Sequence, residues 1–168
     1  MTRNPYQRLH RVQRLRVARG FTMVELMIAV AIAAILALLA APSLSALVAR
    51  HQARSVASEL YFSLAKARSE AVTRNANVSV SPKAGNWQNG WQIADPANAA
   101  NILDDRGAAT GATITGSLID IVFGPSGRVR NATVPQVVIS VSAGSTSAYQ
   151  CVSVELSGRP YITAASSC

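Results

Sequence analysis

Three hydrophobic patterns follow one another along the chain. Residues 21–49 are apolar on every face, and Glu25 is the one ionisable side chain among those 29. From Leu44 the pattern turns periodic: Leu44, Leu47, Val48, Val56, Leu60, Leu64, Ala67 and Ala71 recur at helical spacing. Arg50, Arg54, Ser58 and Glu70 lie elsewhere around the same helix. The two patterns join into one helix ending near Asn75, kinked or loosened at Pro42, where proline removes a backbone donor. About 55 residues at 1.5 Å rise give a rod of roughly 80 Å, whose second half packs one face on a sheet.

After Asn77 the period falls towards two. Strands are expected at 77–81 (NVSVS), 91–93 (WQI), 118–123 (LIDIVF), 136–142 (QVVISVS), 150–156 (QCVSVEL) and 160–163 (PYIT). Turn residues separate them at 82–85, 124–127, 143–145 and 157–158. Residues 94–117, rich in Ala, Asn, Thr and Gly, read as a long surface loop. The fold class is therefore α+β: a long N-terminal helix, its first half transmembrane, packed on a small antiparallel sheet domain. Trp87 and Trp91 are expected to fill core, and Arg68 and Glu70 to be solvated helix charges. His51 reads as a solvated or packed histidine, and Asp104-Asp105 as a turn.

The apolar run is too long for the core of a cleaved secretory signal, and Pro42 follows its small-residue site poorly. Phe21–Ala41 supplies 21 residues, enough to cross the hydrocarbon of a bilayer. Residues 1–20 hold six arginines and no acid, which would keep the N-terminus cytoplasmic and send the remainder outward. Of the net charge of +8, that segment supplies six; ten basic and eight acidic residues remain. The excess positive charge is thus explained by a membrane flank before a nucleic-acid partner is needed. A carboxylate at helix depth costs about 2.5–3.5 kcal/mol, so Glu25 either stays wet at the interface or has a function. Cys151 and Cys168 either pair or remain two unrelated thiols. In an oxidising compartment a bridge closing so short a loop contributes about 3 kcal/mol.

The stretch Gly20-Phe21-Thr22-Met23-Val24-Glu25-Leu26 resembles the class III signal of type IV pilins and type II secretion pseudopilins. The spacing of Gly20, Phe21, Glu25 and the later Pro42 matches that superfamily; the 20-residue leader is longer than many but within its range. The resemblance implies cleavage between Gly20 and Phe21 by a prepilin peptidase, and N-methylation of the new amine on Phe21. It also implies a charge pair in the filament between Glu25 and the Phe21 amine of a neighbouring subunit. The expected organisation is a cleaved leader (1–20), a transmembrane and filament-core helix (21–42), its amphipathic continuation (43–76) and an exported β-rich domain (77–168).

Within that superfamily, AKARSEAVTRN (65–75), the Trp-x-x-Gly-Trp element at 87–91, FGPSGRVR (123–130) and the Cys-bounded ending at 151–168 resemble the GspH/FimT/FimU group. The implied function is that of a minor pilin or pseudopilin, a non-enzymatic subunit that primes or caps a filament in the bacterial inner membrane, with its globular domain periplasmic. Its partners would be other pilins or pseudopilins, the prepilin peptidase, the assembly machinery and membrane lipid. The filament would be a type IV pilus or a type II secretion pseudopilus.

No Ser/His/Asp grouping and no metal-ligand spacing is visible, so no catalytic residue, metal or cofactor is expected. The alternative function is DNA binding in uptake, because some FimT-type pilins are implicated in it through a C-terminal Gly-Arg-x-Arg motif. This chain carries Gly127-Arg128-Val129-Arg130, whereas Gly158-Arg159-Pro160-Tyr161 lacks the second arginine. Arg128, Arg130 and Arg159 are the candidate phosphate contacts, and affinity for a single subunit should be weak.

Overall fold

The computed structural model describes residues 20–116, 120–144 and 146–168, with the backbone alone at 38–42. The leader, residues 1–19, lies outside the described residues. Two compact units divide at Leu38/Leu39, so the globular unit takes in the later part of the helix as well as all the strands.

A single helix, α1, spans Met23–Arg74. Thr22 caps its start: the Glu25 amide donates to Thr22 Oγ1 at 3.2 Å, and the Leu26 amide to the Thr22 carbonyl at 3.1 Å. At the other end Asn75 takes a positive φ of 49°, and the Ala76 amide reaches back to the Ala71 carbonyl at 3.2 Å. That combination closes the last turn and stops the helix. The backbone stays helical through position 42, while the Pro42 side chain and the kink expected there lie outside the described residues.

In the globular unit the buried stripe of α1 is Ala49, Ala53, Val56, Ala57, Leu60, Leu64, Ala67 and Ala71. Leu44, Leu47 and Val48, expected on that face, are instead exposed. The stripe begins with two alanines because a small side chain lets the β-structure approach the helix backbone. The larger residues fall on the flank beyond it.

Eight strands follow: β1 (Val78–Pro82), β2 (Trp91–Asp95), β3 (Asn98–Arg106), β4 (Thr113–Gly116), β5 (Ile121–Phe123), β6 (Gln136–Ala143), β7 (Thr146–Val154) and β8 (Pro160–Thr163). They form two four-stranded sheets rather than one, ordered β3-β2-β1-β5 and β4-β6-β7-β8, with every pairing antiparallel. The expected loop at 94–117 thus holds β3 and β4. Residues 98–102 of β3 are all exposed on an edge, so no alternation of burial marks the strand there. β4 is four residues long with Ile114 alone turned inward. The strand expected at 118–123 starts at Ile121; residues 117–119 lie outside the described set.

Alternate residues of both sheets meet α1 in one apolar cluster, including Val78, Val80, Trp91, Ile93, Phe123, Ile139, Val152 and Val154. Trp87 and Trp91 are both buried in it. Gly116 is where the Trp87 indole lies; a Cβ there would overlap the ring. Gln88 ties the turn after β1 to the second sheet, donating to the Ala109 and Ala112 carbonyls at 3.2 and 2.7 Å and accepting from the Ile114 amide at 2.8 Å.

Candidate functional site

Two places carry the residues singled out in the sequence. The first is the start of α1. Gly20, Phe21 and Thr22 are outside the helix and exposed, and the bond between Gly20 and Phe21 is therefore in open backbone one residue before the cap. Thr22 and Glu25 stand in the Thr-x-x-Glu spacing of a capping box, in which the first side chain accepts from the third helical amide. An acid in the first turn also faces the positive end of the helix dipole. This local role of Thr22 is written in the Thr-x-x-Glu pattern of residues 22–25. Phe21, Met23, Val24, Leu26 and Met27 are all largely exposed, so this half of the helix presents apolar surface around its whole circumference.

Among the described residues no helix is long and apolar enough to cross a membrane. The span expected at 21–42 runs through 38–42, whose side chains are outside that set.

The second place is a pair of turns. Gly124 and Gly127 close one of them, the Gly127 amide donating to the Gly124 carbonyl at 2.8 Å. Glu155 and Gly158 close the other in the same manner, at 2.7 Å. The turns are joined where the Val129 amide donates to the Leu156 carbonyl at 3.3 Å. They are also in van der Waals contact, since a Cβ on Gly158 would collide with the Gly127 carbonyl. With φ of +72° at Gly127 and +88° at Gly158, both positions favour glycine on backbone grounds too.

Arg68 of α1 reaches under both turns. Its Nε donates to the Gly127 carbonyl at 3.0 Å, and it lies close to Gly158. The solvated charge expected here is instead a half-buried clasp between helix and loops. Arg128, Arg130 and Arg159 are exposed on these turns. Arg159 is occupied by Glu155 at 3.0 Å. The Ser157 hydroxyl and Arg159 hold the Glu155 carboxyl below its ordinary range. Glu70 pairs with Arg74 at 2.6 Å, and Arg74 also meets Asp95 at 3.1 Å.

Asp104 and Asp105 lie in β3, not in a turn. Asp104 accepts from the buried Ser63 hydroxyl at 2.9 Å and pairs with Lys66 at 3.3 Å and Arg106 at 3.4 Å. Asp105 pairs with Lys83. Each carboxylate is thus held by cations of the protein itself. No group of three or more His, Cys, Asp or Glu residues among the described residues could hold a metal ion. Cys151 and Cys168 are joined by a disulfide, their Cα atoms 5.6 Å apart. It ties the chain's last residues back onto β7.

The sequence profile of the family described as type II transport protein GspH matches residues 56–158, more than half of the chain. The prokaryotic N-terminal methylation motif matches residues 15–41. No individually curated protein shows significant similarity to the chain. Among solved structures, the fold is similar to that of the type IV minor pilin FimU of Pseudomonas aeruginosa strain PAO1 in two crystal forms. One has a TM-score of 0.59 at 23% identity, covering 71% of this chain and 96% of that one. The other has a TM-score of 0.56 at 23% identity, covering 68% and 98%. At that identity the likeness is one of fold: a long helix against antiparallel strands.

Proposed function

The chain belongs to the GspH family of type II transport proteins, a family of minor pilins and pseudopilins, and from that premise we propose that it primes or caps a filament built in the inner membrane. The filament is a type IV pilus or a type II secretion pseudopilus. The observation that carries this reading is the junction at the start of α1: an exposed, non-helical Gly20-Phe21 bond, then a capped helix with Glu25 in its first turn. A peptidase needs extended, accessible backbone at the bond it cuts, and the helix that follows provides the apolar shaft.

In this reading residues 1–20 are removed, and residues 21–42 anchor the subunit in the membrane before assembly. Residues 43–76 carry the periplasmic domain, 77–168, outward from the bilayer. Cutting at Gly20 creates the Phe21 amine, which is methylated. Glu25 of one subunit meets that amine on a neighbour, so a carboxylate that is unfavourable alone becomes half of an ion pair in an apolar bundle. Pro42 gives the shaft local freedom to bend as it leaves the membrane. The partners are other pilins, the peptidase and the assembly machinery.

Deleting the gene and restoring it in trans tests this. Loss of surface pili or of secreted proteins, recovered by the parent but not by a Gly20 variant that stays unprocessed, is the expected result. Normal pili and secretion in the deletion strain refute it.

A second reading, DNA binding, draws support from the coupled turns, which bring the Arg128, Arg130 and Arg159 loops side by side. The engagement of Arg159 by Glu155 leaves Arg128 and Arg130 as the stronger phosphate contacts. A mobility-shift titration across salt, with residues 48–168, tests it. Retention of the whole buried face of α1 makes that fragment suitable. Binding that is insensitive to salt, or to Arg128→Ala and Arg130→Ala together, removes this reading.

A further inference from the structure

The apolar shaft does not give way directly to the neutral face of a folded domain. Leu44, Leu47 and Val48 are exposed on α1, and the next turns present Arg50, His51 and Arg54, also exposed. Leu47, Arg50, His51 and Arg54 line a surface pocket of about 130 Å³. Among the described residues, neither guanidinium has an ion-pair partner. No acid occurs between Leu26 and Ser58, so nothing along this stretch of sequence neutralises them.

From these observations we propose that residues 44–54 form a collar that binds the headgroups of anionic phospholipids in the outer leaflet of the inner membrane. The proposal rests on the membrane reading given above. With residues 21–42 in the hydrocarbon, its far boundary lies near Pro42. At 1.5 Å rise, Arg50 and Arg54 then begin about 12 and 18 Å beyond it. Helical side chains lean towards the N-terminus, which is towards the bilayer, and arginine stems extend along apolar surface while the guanidinium stays wet. The Arg50 guanidinium therefore reaches back to the phosphate layer and that of Arg54 to its outer side, with Leu44 turned towards the acyl chains and Leu47 and Val48 at the level of the headgroups.

Topology sharpens the argument. Lysine and arginine within about 15–20 residues of a span are depleted on its translocated side, because they oppose the orientation set by the leader. Two arginines there work against insertion, and a phosphate contact gives them a reason to be present. The planar fork of arginine suits phosphate better than an ammonium does. Held in this way, the subunit waits at a fixed depth until the machinery extracts it.

The test uses the full chain in detergent micelles, titrated with phosphatidylglycerol or phosphatidylcholine, with bound lipid counted by native mass spectrometry. Each basic residue at an anionic surface strengthens association about fivefold. Arg50→Ala with Arg54→Ala should therefore lower the affinity for phosphatidylglycerol about 25-fold and leave phosphatidylcholine unchanged. Arg50→Lys with Arg54→Lys should keep most of the preference, and added salt should erode it. A double alanine variant that retains the full preference overturns the collar and assigns lipid binding to the leader arginines. A variant that keeps the lipid but no longer co-purifies with other subunits overturns it as well, in favour of a protein contact. Alkaline carbonate extraction of the chain from membranes separates the two levels. A chain that washes out refutes the span and the collar together, whereas a retained chain without lipid preference refutes the collar alone.

Discussion

Arg68 holds the Gly127 carbonyl at 3.0 Å, and through it two glycine turns that are 31 residues apart in the chain. Arg68→Ala should leave that buried carbonyl without a partner, at a cost of about 1–3 kcal/mol. Urea unfolding of residues 48–168 should show a lower midpoint with an unchanged slope. Gly158→Ala should do more harm, because it combines a positive φ with a collision against the Gly127 backbone. In the DNA reading, Arg68→Ala also weakens binding, because the arginine-bearing turns lose their common support.

Asp104 is held on three sides, by Ser63, Lys66 and Arg106. Burial pushes its carboxyl up, and the Ser63 hydroxyl with the two cations outweighs that and holds it below the usual range. A depressed folded-state value contributes stability that is present above the unfolded value and lost as pH falls through the folded one. Unfolding midpoints of the parent should therefore drop below about pH 4, where an unfolded aspartate begins to bind its proton. Asp104→Asn should be less stable at pH 7 by about 1–2 kcal/mol and should show a weaker acid dependence. Parallel pH profiles for the two proteins would remove Asp104 from the account.

The disulfide closes a loop between residues 17 apart, so its loss should lower stability by about 3 kcal/mol in the chain-entropy picture. Cys168→Ser is the cleaner variant, because Cys168 is exposed while Cys151 is buried, where a hydroxyl would add its own desolvation penalty. Reductant should shift the parent's unfolding midpoint to that of Cys168→Ser and leave the variant where it was.

These effects differ in how far they could be read from the sequence. The helix was legible because period 3.6 persists from Val56 to Ala71, and the strands expected at 77–81, 91–93 and 136–142 because apolar and polar residues largely alternate there. The edge strand β3 was not. Its exposed positions need no apolar side chain, and its pairing with β2 is a property of the backbone. Leu44, Leu47 and Val48 fit the helical period equally well, yet Ala49 and Ala53 are buried. Periodicity gives the direction of a face but not where its partner begins. Arg68 looked like any surface charge, because its acceptor is a carbonyl 59 residues away. A local pattern does carry Thr22, whose position three residues before Glu25 is the spacing of a capping box.

Thr22 and Glu25 are separable by experiment. Thr22→Ala removes the side chain that accepts from the Glu25 amide and should weaken the first turn by about 1 kcal/mol. Glu25→Ala keeps that amide contact, since Thr22 still accepts from the backbone, and removes only the carboxylate. If the carboxylate serves assembly, Glu25→Ala should be cut after Gly20 and retained in the membrane, yet be scarce in sheared filaments. Thr22→Ala should enter filaments far better, and Glu25→Gln, similar in shape but uncharged, should fail as Glu25→Ala does. Immunoblots of membrane and sheared fractions separate these outcomes. Normal filament entry by Glu25→Gln would reduce Glu25 to a helix-capping residue and end the charge-pair account.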